Sequence, residues 1–457
     1  MVHTMCFESL PLSVLSNALA WLPADERPRA ALVCRRFRDA LQDDHAVWAS
    51  VDFSQSKASQ LNDRLLRQVA AKAGEHLTRL VLGEWVTTRQ PNGQAVFSRD
   101  VVLGVVRSPP ALRCLALHTS AANEFTTTFI RQLVATAPQL VALETDVFAS
   151  SSEEACALLR NEAPFGAVRL RRLRVRMLHT GASGFQLTSD GLLAIAGQLA
   201  SRRHFSLCEL AVESHRHCSA DVFNTLVDVL APRRMAALCF IGCLPYNSDG
   251  VVVSGVARLL HGGFLTRLVL NGWSPKVPIL NDASAPSLAA TIRACHTLTC
   301  LTLSRVSLWD RPACGNAVVA SLVGHPSIRE LELRGNEVSK QHRSAVGKPL
   351  AQLVAANAPA LAVLRLNFCS LGGAGLRSLF CALPGNTFLR ELDCSYNYGP
   401  LRDKAPRIAR HVLGAVTANS ALTALRLGNH SHEALFPDFQ AAEAVVAARA
   451  AAAAAAQ

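Results

Sequence analysis

The chain has 457 residues, 50% of them hydrophobic and only 18% charged, a composition that buries a core and excludes a disordered chain. Its formal charge of +12 comes from six lysines and 40 arginines against 34 acidic residues, which favours anionic partners only where the positive charge clusters. No uninterrupted apolar run approaches the roughly 20 residues of a membrane helix, and Met1 to Cys6 lead into no signal-like stretch, so the expectation is a cytoplasmic or nuclear protein whose 14 cysteines are reduced.

Residues 7–53 read as a compact helical unit. Leu10, Val14 or Leu15, Ala18, Leu19 and Leu22 recur at helical spacing after Pro11, which suits a helix start. Asp25 can cap a second helix carrying Ala31 and Leu32, and Pro28 requires that helix to start late. Phe37 and Leu41 lie one turn apart on a third helix. The sequence Leu10-Pro11, Leu15, Leu19, Leu22-Pro23, Leu32-Val33-Cys34-Arg35-Arg36-Phe37 and a closing Trp48 resembles an F-box. That resemblance implies binding to a Skp-type adaptor through Leu10, Pro11, Leu15, Leu32, Val33 and Trp48, with some of these forming internal core.

From residue 77 almost to the end, an apolar residue recurs at relative positions 1, 4 and 6 in twelve copies, from Leu77/Leu80/Leu82 to Leu422/Leu425/Leu427, with starts 28 to 37 residues apart. Positions 4 and 6 alternate as in a strand, and each strand is followed by an amphipathic segment such as Ser189 to Ala196. Trp48, Val51 and Phe53 repeat the spacing ahead of Leu77, with a helix predicted between Leu61 and Ala73, which makes a thirteenth strand and leaves no flexible linker after the helical unit. This pattern resembles the leucine-rich repeat in its longer, ribonuclease-inhibitor-like variety. Cys243, Asn336, Cys369 and Asn397 stand at position 9, where that family places Asn or Cys. The expected fold is therefore α/β: a leucine-rich-repeat solenoid over 54–436, with a parallel concave sheet and outer helices, preceded by the small helical F-box. Residues 437–457, rich in alanine, read as a C-terminal cap and tail that frays after Arg449.

Little else in the sequence carries chemistry. Phosphate-binding glycine loops and the HExxH zinc motif do not occur, so no catalytic role, cofactor or metal is expected. Cys239/Cys243 and Cys295/Cys300 lack a second pair at zinc-finger spacing. The basic run Arg169 to Arg176 is the sharpest charged feature, and register matching places Glu144 beside Arg174, Asp146 beside Arg176 and Arg172 beside Glu209, leaving Arg171 freest. The same matching aligns Glu332, Arg365, Asp393 and Arg426 in an alternating ladder. Such self-neutralisation argues against a nucleic-acid partner, and nothing points to a membrane.

Candidates for substrate contact are Arg171, Arg172 and Arg174 and the aromatics in the longer strand-to-helix loops, Trp85, Trp273, Tyr396 and Tyr398. Together, the two resemblances imply the substrate-recognition subunit of an SCF-type ubiquitin ligase: a non-catalytic receptor with a Skp-type adaptor and cullin core on one side and an unknown substrate protein on the other. The alternative is a repeat scaffold whose F-box-like unit is only a cap.

Overall fold

The computed structural model describes residues 15–16, 19–20, 22, 27–43, 45–53, 61–82, 97–117, 127–149, 169–177, 189–200, 207–213, 218–245, 250–272, 283–397, 405–428 and 437–455. The chain divides into two compact units, 1–210 and 211–457.

The first unit opens with short helices, α1 (Arg27–Ala30) and α2 (Arg35–Asp43), followed by a 3-10 turn, His45–Trp48. Strand β1 (Ser50–Asp52) begins two residues after Trp48 and pairs in parallel with β2 (Arg79–Leu82), Val51 opposite Leu80. This is the thirteenth strand expected from the sequence. Its helix, α3 (Asp63–Ala73), is capped by Asn62, whose Oδ1 accepts from Leu65 N at 2.9 Å. The unit continues through α4 (Arg99–Arg107), β3 (Cys114–Leu117), α5 (Thr127–Thr136), β4 (Ala142–Ala149), β5 (Arg169–Met177) and α6 (Ser189–Ala200). Strands β1 to β5 pair in chain order, all parallel. Strand β6 (Glu209–Glu213) falls at the unit boundary.

The charge register of β4 and β5 differs from the expected one. A bulge at Arg171 places Glu144 opposite Arg172 and Asp146 opposite Arg174, while Phe148 faces Arg176. Beyond the bulge the pairing is offset by two residues from the leucine alignment, which preserves the inward and outward alternation, so the apolar pattern alone does not distinguish the two registers there; before it Leu143 pairs with Leu170, an offset of three. Acidic and basic residues remain neighbours across the strands, with different partners.

In the second unit, β7 (Ala237–Ile241), β8 (Arg267–Asn271), β9 (Cys300–Ser304), β10 (Glu330–Glu332), β11 (Val363–Arg365), β12 (Glu391–Asp393) and β13 (Ala424–Arg426) pair in order and in parallel. Helices α7 (Ala220–Leu230), α8 (Val251–His261), α9 (Ser284–Ala294), α10 (Pro312–Ser321), α11 (Arg343–Ala355), α12 (Gly372–Ala382), α13 (Ala405–Ala418) and α14 (Pro437–Ala455) alternate with them. Leu238, Leu268, Leu301, Leu331, Leu364, Leu392 and Leu425 stand opposite one another along the sheet and are all buried. One strand and one helix cannot cover these leucines alone; stacking units does. The architecture is thus α/β, leucine-rich repeats following a small helical segment.

Polar ladders fix the turns. Asn336 is fully buried: its Oδ1 accepts from Val306 N (3.0 Å) and Leu308 N (3.1 Å), and its Nδ2 donates to Leu303 O (2.6 Å) and Leu333 O (2.8 Å). Asn397 repeats the device on Cys369 N and Leu371 N. The turn at Val306, which has no Asn of its own, is therefore satisfied by the next repeat. Asn336→Ala would leave two buried amides and two carbonyls without a side-chain partner, so a loss of about 2 kcal/mol is expected, read as a lower urea midpoint at unchanged slope. Cys369 at the same position donates to Leu333 O, and burial pushes its thiol up to about 12.

A second ladder lies before the strands. Asn386 and Asn419 accept from the amides that open β12 and β13 and donate to carbonyls one repeat back. His325 holds the equivalent place: it is buried, with Nε2 3.0 Å from Ile292 O. Burial holds this imidazole below its ordinary pKa, with His296 adding to the effect against the Ile292 hydrogen bond. The folded state therefore binds a proton less readily than the unfolded state. Stability should be full above about pH 6.5 and fall as pH drops through that value, levelling below the folded pKa. Thermal midpoints from pH 5 to 8 check this, and in His325→Asn the acid-side fall should be smaller.

Helix α14 runs to Ala455, beyond the point where fraying was expected. Phe439, Ala442 and Val446 are buried, and Arg449 donates to Leu422 O (3.0 Å) and Val416 O (3.2 Å). The tail's start is thereby pinned to the last strand and helix, and alanine propensity carries it on.

Candidate functional site

The helical segment is organised by a residue that apolar patterning does not flag. Arg27, only 2% exposed, donates to four backbone carbonyls: Nε to Leu22 O (3.1 Å), Nη1 to Val47 O (2.7 Å) and Ser50 O (3.1 Å), and Nη2 to Ala20 O (2.7 Å). Burial pulls its pKa down to about 10, with Asp52 opposing, so it stays charged at neutral pH. The guanidinium also lies 5.5 Å from the Trp48 ring. Trp48 is buried, its indole N–H donating to Leu41 O at 2.8 Å. Leu15 is buried too. These two expected contact residues are thus internal, part of the small module's core with Leu19, Leu41 and Phe53.

Leu32 and Val33 are the reverse. The second helix ends at Ala30, so Leu32 lies in a turn, 31–33, and not on a helix as expected. Val33 N donates to Ala30 O (3.0 Å), and Arg38 Nε reaches Ala31 O (3.4 Å), which fixes the turn between α1 and α2. Leu32 is 79% and Val33 72% exposed, well above Phe264 at 46%, the next of the exposed large apolar residues described. Two adjacent branched apolar side chains in this turn thus form an exposed apolar patch. Leu10 and Pro11 lie outside the described residues.

Of the substrate-contact candidates, Trp85, Trp273 and Tyr398 lie outside the described residues. Arg171, Arg172 and Arg174 are placed by backbone alone, in β5, with Arg171 at its bulge. Tyr396 is part-buried and stacks on Phe368, ring centroids 4.1 Å apart and planes at 8°. Phe368, at the same repeat position one strand earlier, was not singled out in the sequence. Stacking the repeats in register puts the two rings side by side, and that signal was available.

On the strand face of the second unit, Arg365 is the hub of an acidic cluster. It pairs with Glu330, with Glu391 (Nε to Oε1, 2.9 Å) and more distantly with Glu332 (4.0 Å). Burial opposes ionisation of Glu330, but Arg365 and Arg267 override it and hold the carboxyl below its ordinary value. The expected ladder of Glu332, Arg365, Asp393 and Arg426 has the right register. Its closest ion pairs run through Glu330 and Glu391 instead, because Asp393 turns to accept from Ser395 N (2.9 Å) and Oγ (2.6 Å). Every cysteine among the described residues is free. No group of three His, Cys, Asp or Glu side chains among them is placed to hold a metal.

Comparison with known proteins bears on the two parts separately. Residues 7–54 match the F-box-like family. No curated protein sequence matches the chain. Among solved structures, similarity extends to a chain of the yeast Rad7 and Elc1 complex, at 16% identity and a TM-score of 0.44, over 93% of this chain and 87% of that one. It extends also to the leucine-rich repeat-containing protein LegL7 from Legionella pneumophila, at 13% identity and a TM-score of 0.32, over 86% and 96%. The tropomodulin C-terminal domain of Caenorhabditis elegans matches at 14% identity and 0.30, over 39% and 100%. At these scores the likenesses add nothing to the repeat architecture already described. The chain thus carries an F-box-like segment at its start and leucine-rich repeats after it.

Proposed function

We propose that the chain is a non-catalytic substrate receptor of a cullin-based ubiquitin ligase, its F-box-like segment binding a Skp-type adaptor and its repeats holding a substrate protein. The observation that carries this reading is the exposed pair Leu32 and Val33, in a turn within a segment that matches the F-box-like family and has Leu15, Trp48 and Arg27 buried in it. A receptor of this kind makes and breaks no bond. It raises the local concentration of a substrate lysine near the ubiquitin donor, and that demands a stiff connection between adaptor and substrate surfaces. The passage from Trp48 into β1, paired with β2, supports such stiffness at the adaptor end, within the first unit.

A second reading, a repeat scaffold capped by the helical segment, is favoured by the burial of Trp48, Val51 and Phe53 at the start of the sheet. A cap, however, needs no outward Leu32 and Val33. Co-expression of the full chain with a Skp-type adaptor separates the two. A stoichiometric complex on size exclusion supports the receptor, and elution of both proteins apart gives first place to the scaffold.

A further inference from the structure

The turns that follow β9 to β12 carry a row of left-handed residues at repeat position 8: Arg305 (φ 52°), Gly335 (70°), Phe368 (58°) and Tyr396 (57°). Each amide donates to a carbonyl of the next repeat: Arg305 to Arg334 O, Gly335 to Asn367 O, Phe368 to Ser395 O and Tyr396 to Gly428 O. The stacking of repeats therefore imposes the conformation, and glycine meets it freely, as Gly335 does. Bulky side chains meet it at a cost, and such strain concentrates at functional positions. Here two successive repeats place aromatic rings in it.

Those rings form an ordered surface. Phe368, 39% exposed, is stacked on Tyr396, and the Arg334 guanidinium lies 5.4 Å from the Phe368 ring. Arg305 lies along Gly335, so close that a methyl group there would meet its Cγ at 2.6 Å. Both arginines are exposed, and among the described residues neither forms an ion pair. Lys340, also exposed, follows on the same loop edge. On the strand face, by contrast, Arg267 and Arg365 are held by Glu330 and Glu391. Arg305 and Arg334 thus stand beside the one stacked aromatic pair of this unit among the described residues, with the exposed carboxylate of Glu337 on the same turn.

We propose that this turn edge, formed by Arg305, Arg334, Phe368 and Tyr396, binds an acidic protein segment carrying an aromatic side chain, the ring packing against the Phe368 and Tyr396 stack and the carboxylates meeting the two arginines. It deepens the receptor reading, on which the segment's role as a substrate rests, although binding itself does not require a ligase. A protein segment fits better than a nucleic-acid strand because the cations flank one aromatic pair and do not track a backbone over several phosphates.

The test is fluorescence anisotropy of the purified full chain with a short labelled peptide of glutamates around one central tyrosine. Binding should weaken with added salt. It should fall roughly tenfold in Arg305→Glu/Arg334→Glu and by a similar factor in Phe368→Asn/Tyr396→Asn. Asparagine tolerates the left-handed backbone, so that variant should keep the parent's thermal midpoint. Failure to bind, equal affinity for a lysine peptide, tighter binding of an oligothymidine, or unchanged affinity in both variants overturns the assignment. Adaptor co-purification, run on the same variants, is expected to be unaffected, so failure of this site and failure of the receptor reading show up in different measurements.

Discussion

Replacing Leu32 and Val33 together by aspartate should reduce adaptor binding by more than about a hundredfold, from a complex that survives size exclusion to one that does not. Each side chain, if buried by a partner, contributes on the order of 2 kcal/mol, and the two carboxylates would in addition have to be desolvated. Because both positions are more than two-thirds exposed in the chain alone, its own stability should move by no more than about 0.5 kcal/mol. Phe264→Asp, at an exposed apolar position in the second unit, serves as the control and should bind as the parent does. Parental affinity in the Leu32/Val33 variant would show that the turn is not the contact.

The parts of the fold legible in the sequence are those controlled by apolar periodicity. Leu238 to Leu425 fall opposite one another because inward alternation leaves a strand one way to face the core, and Trp48, Val51 and Phe53 announce β1 for the same reason. The Glu332, Arg365, Asp393 and Arg426 register followed from it too. What periodicity cannot settle is an offset of two residues, and the β4 and β5 pairing beyond the Arg171 bulge, which changes the partners of Glu144 and Asp146, is offset by two.

Burial was legible only as a property of the segment. Leu15 and Leu32 belong to one apolar pattern, yet one is core and the other projects, and the difference is made by the early end of α1 and the turn at 31–33, a backbone event that no residue type marks strongly. Polar residues that serve distant backbone groups were harder still. Asn336 was found because its position is periodic, whereas His325 stands where two later repeats use Asn386 and Asn419 and is recognisable only after those are aligned.

Arg27 is the extreme case, because its partners come from two separate stretches of chain, 20–22 and 47–50, and a single charged residue there looks like solvated surface. Replacing it with methionine keeps much of the side-chain bulk and removes every donor, so the carbonyls of Ala20, Leu22, Val47 and Ser50 lose their shared partner in a water-poor interior. The expected loss is about 4 kcal/mol, enough to unfold the helical segment while the second unit, which makes none of these contacts, stays folded. Arg27→Lys should fall between, since one ammonium on a flexible stem cannot span four carbonyls arranged around a planar fork. Hydrogen exchange resolved by peptide provides the measurement: loss of protection confined to residues up to about Phe53 in the methionine variant, with adaptor binding lost in parallel. Retained protection across α2 and β1 would mean that the packing of Leu15, Leu41 and Trp48 suffices alone, and that the four hydrogen bonds only balance the burial of the charge they surround.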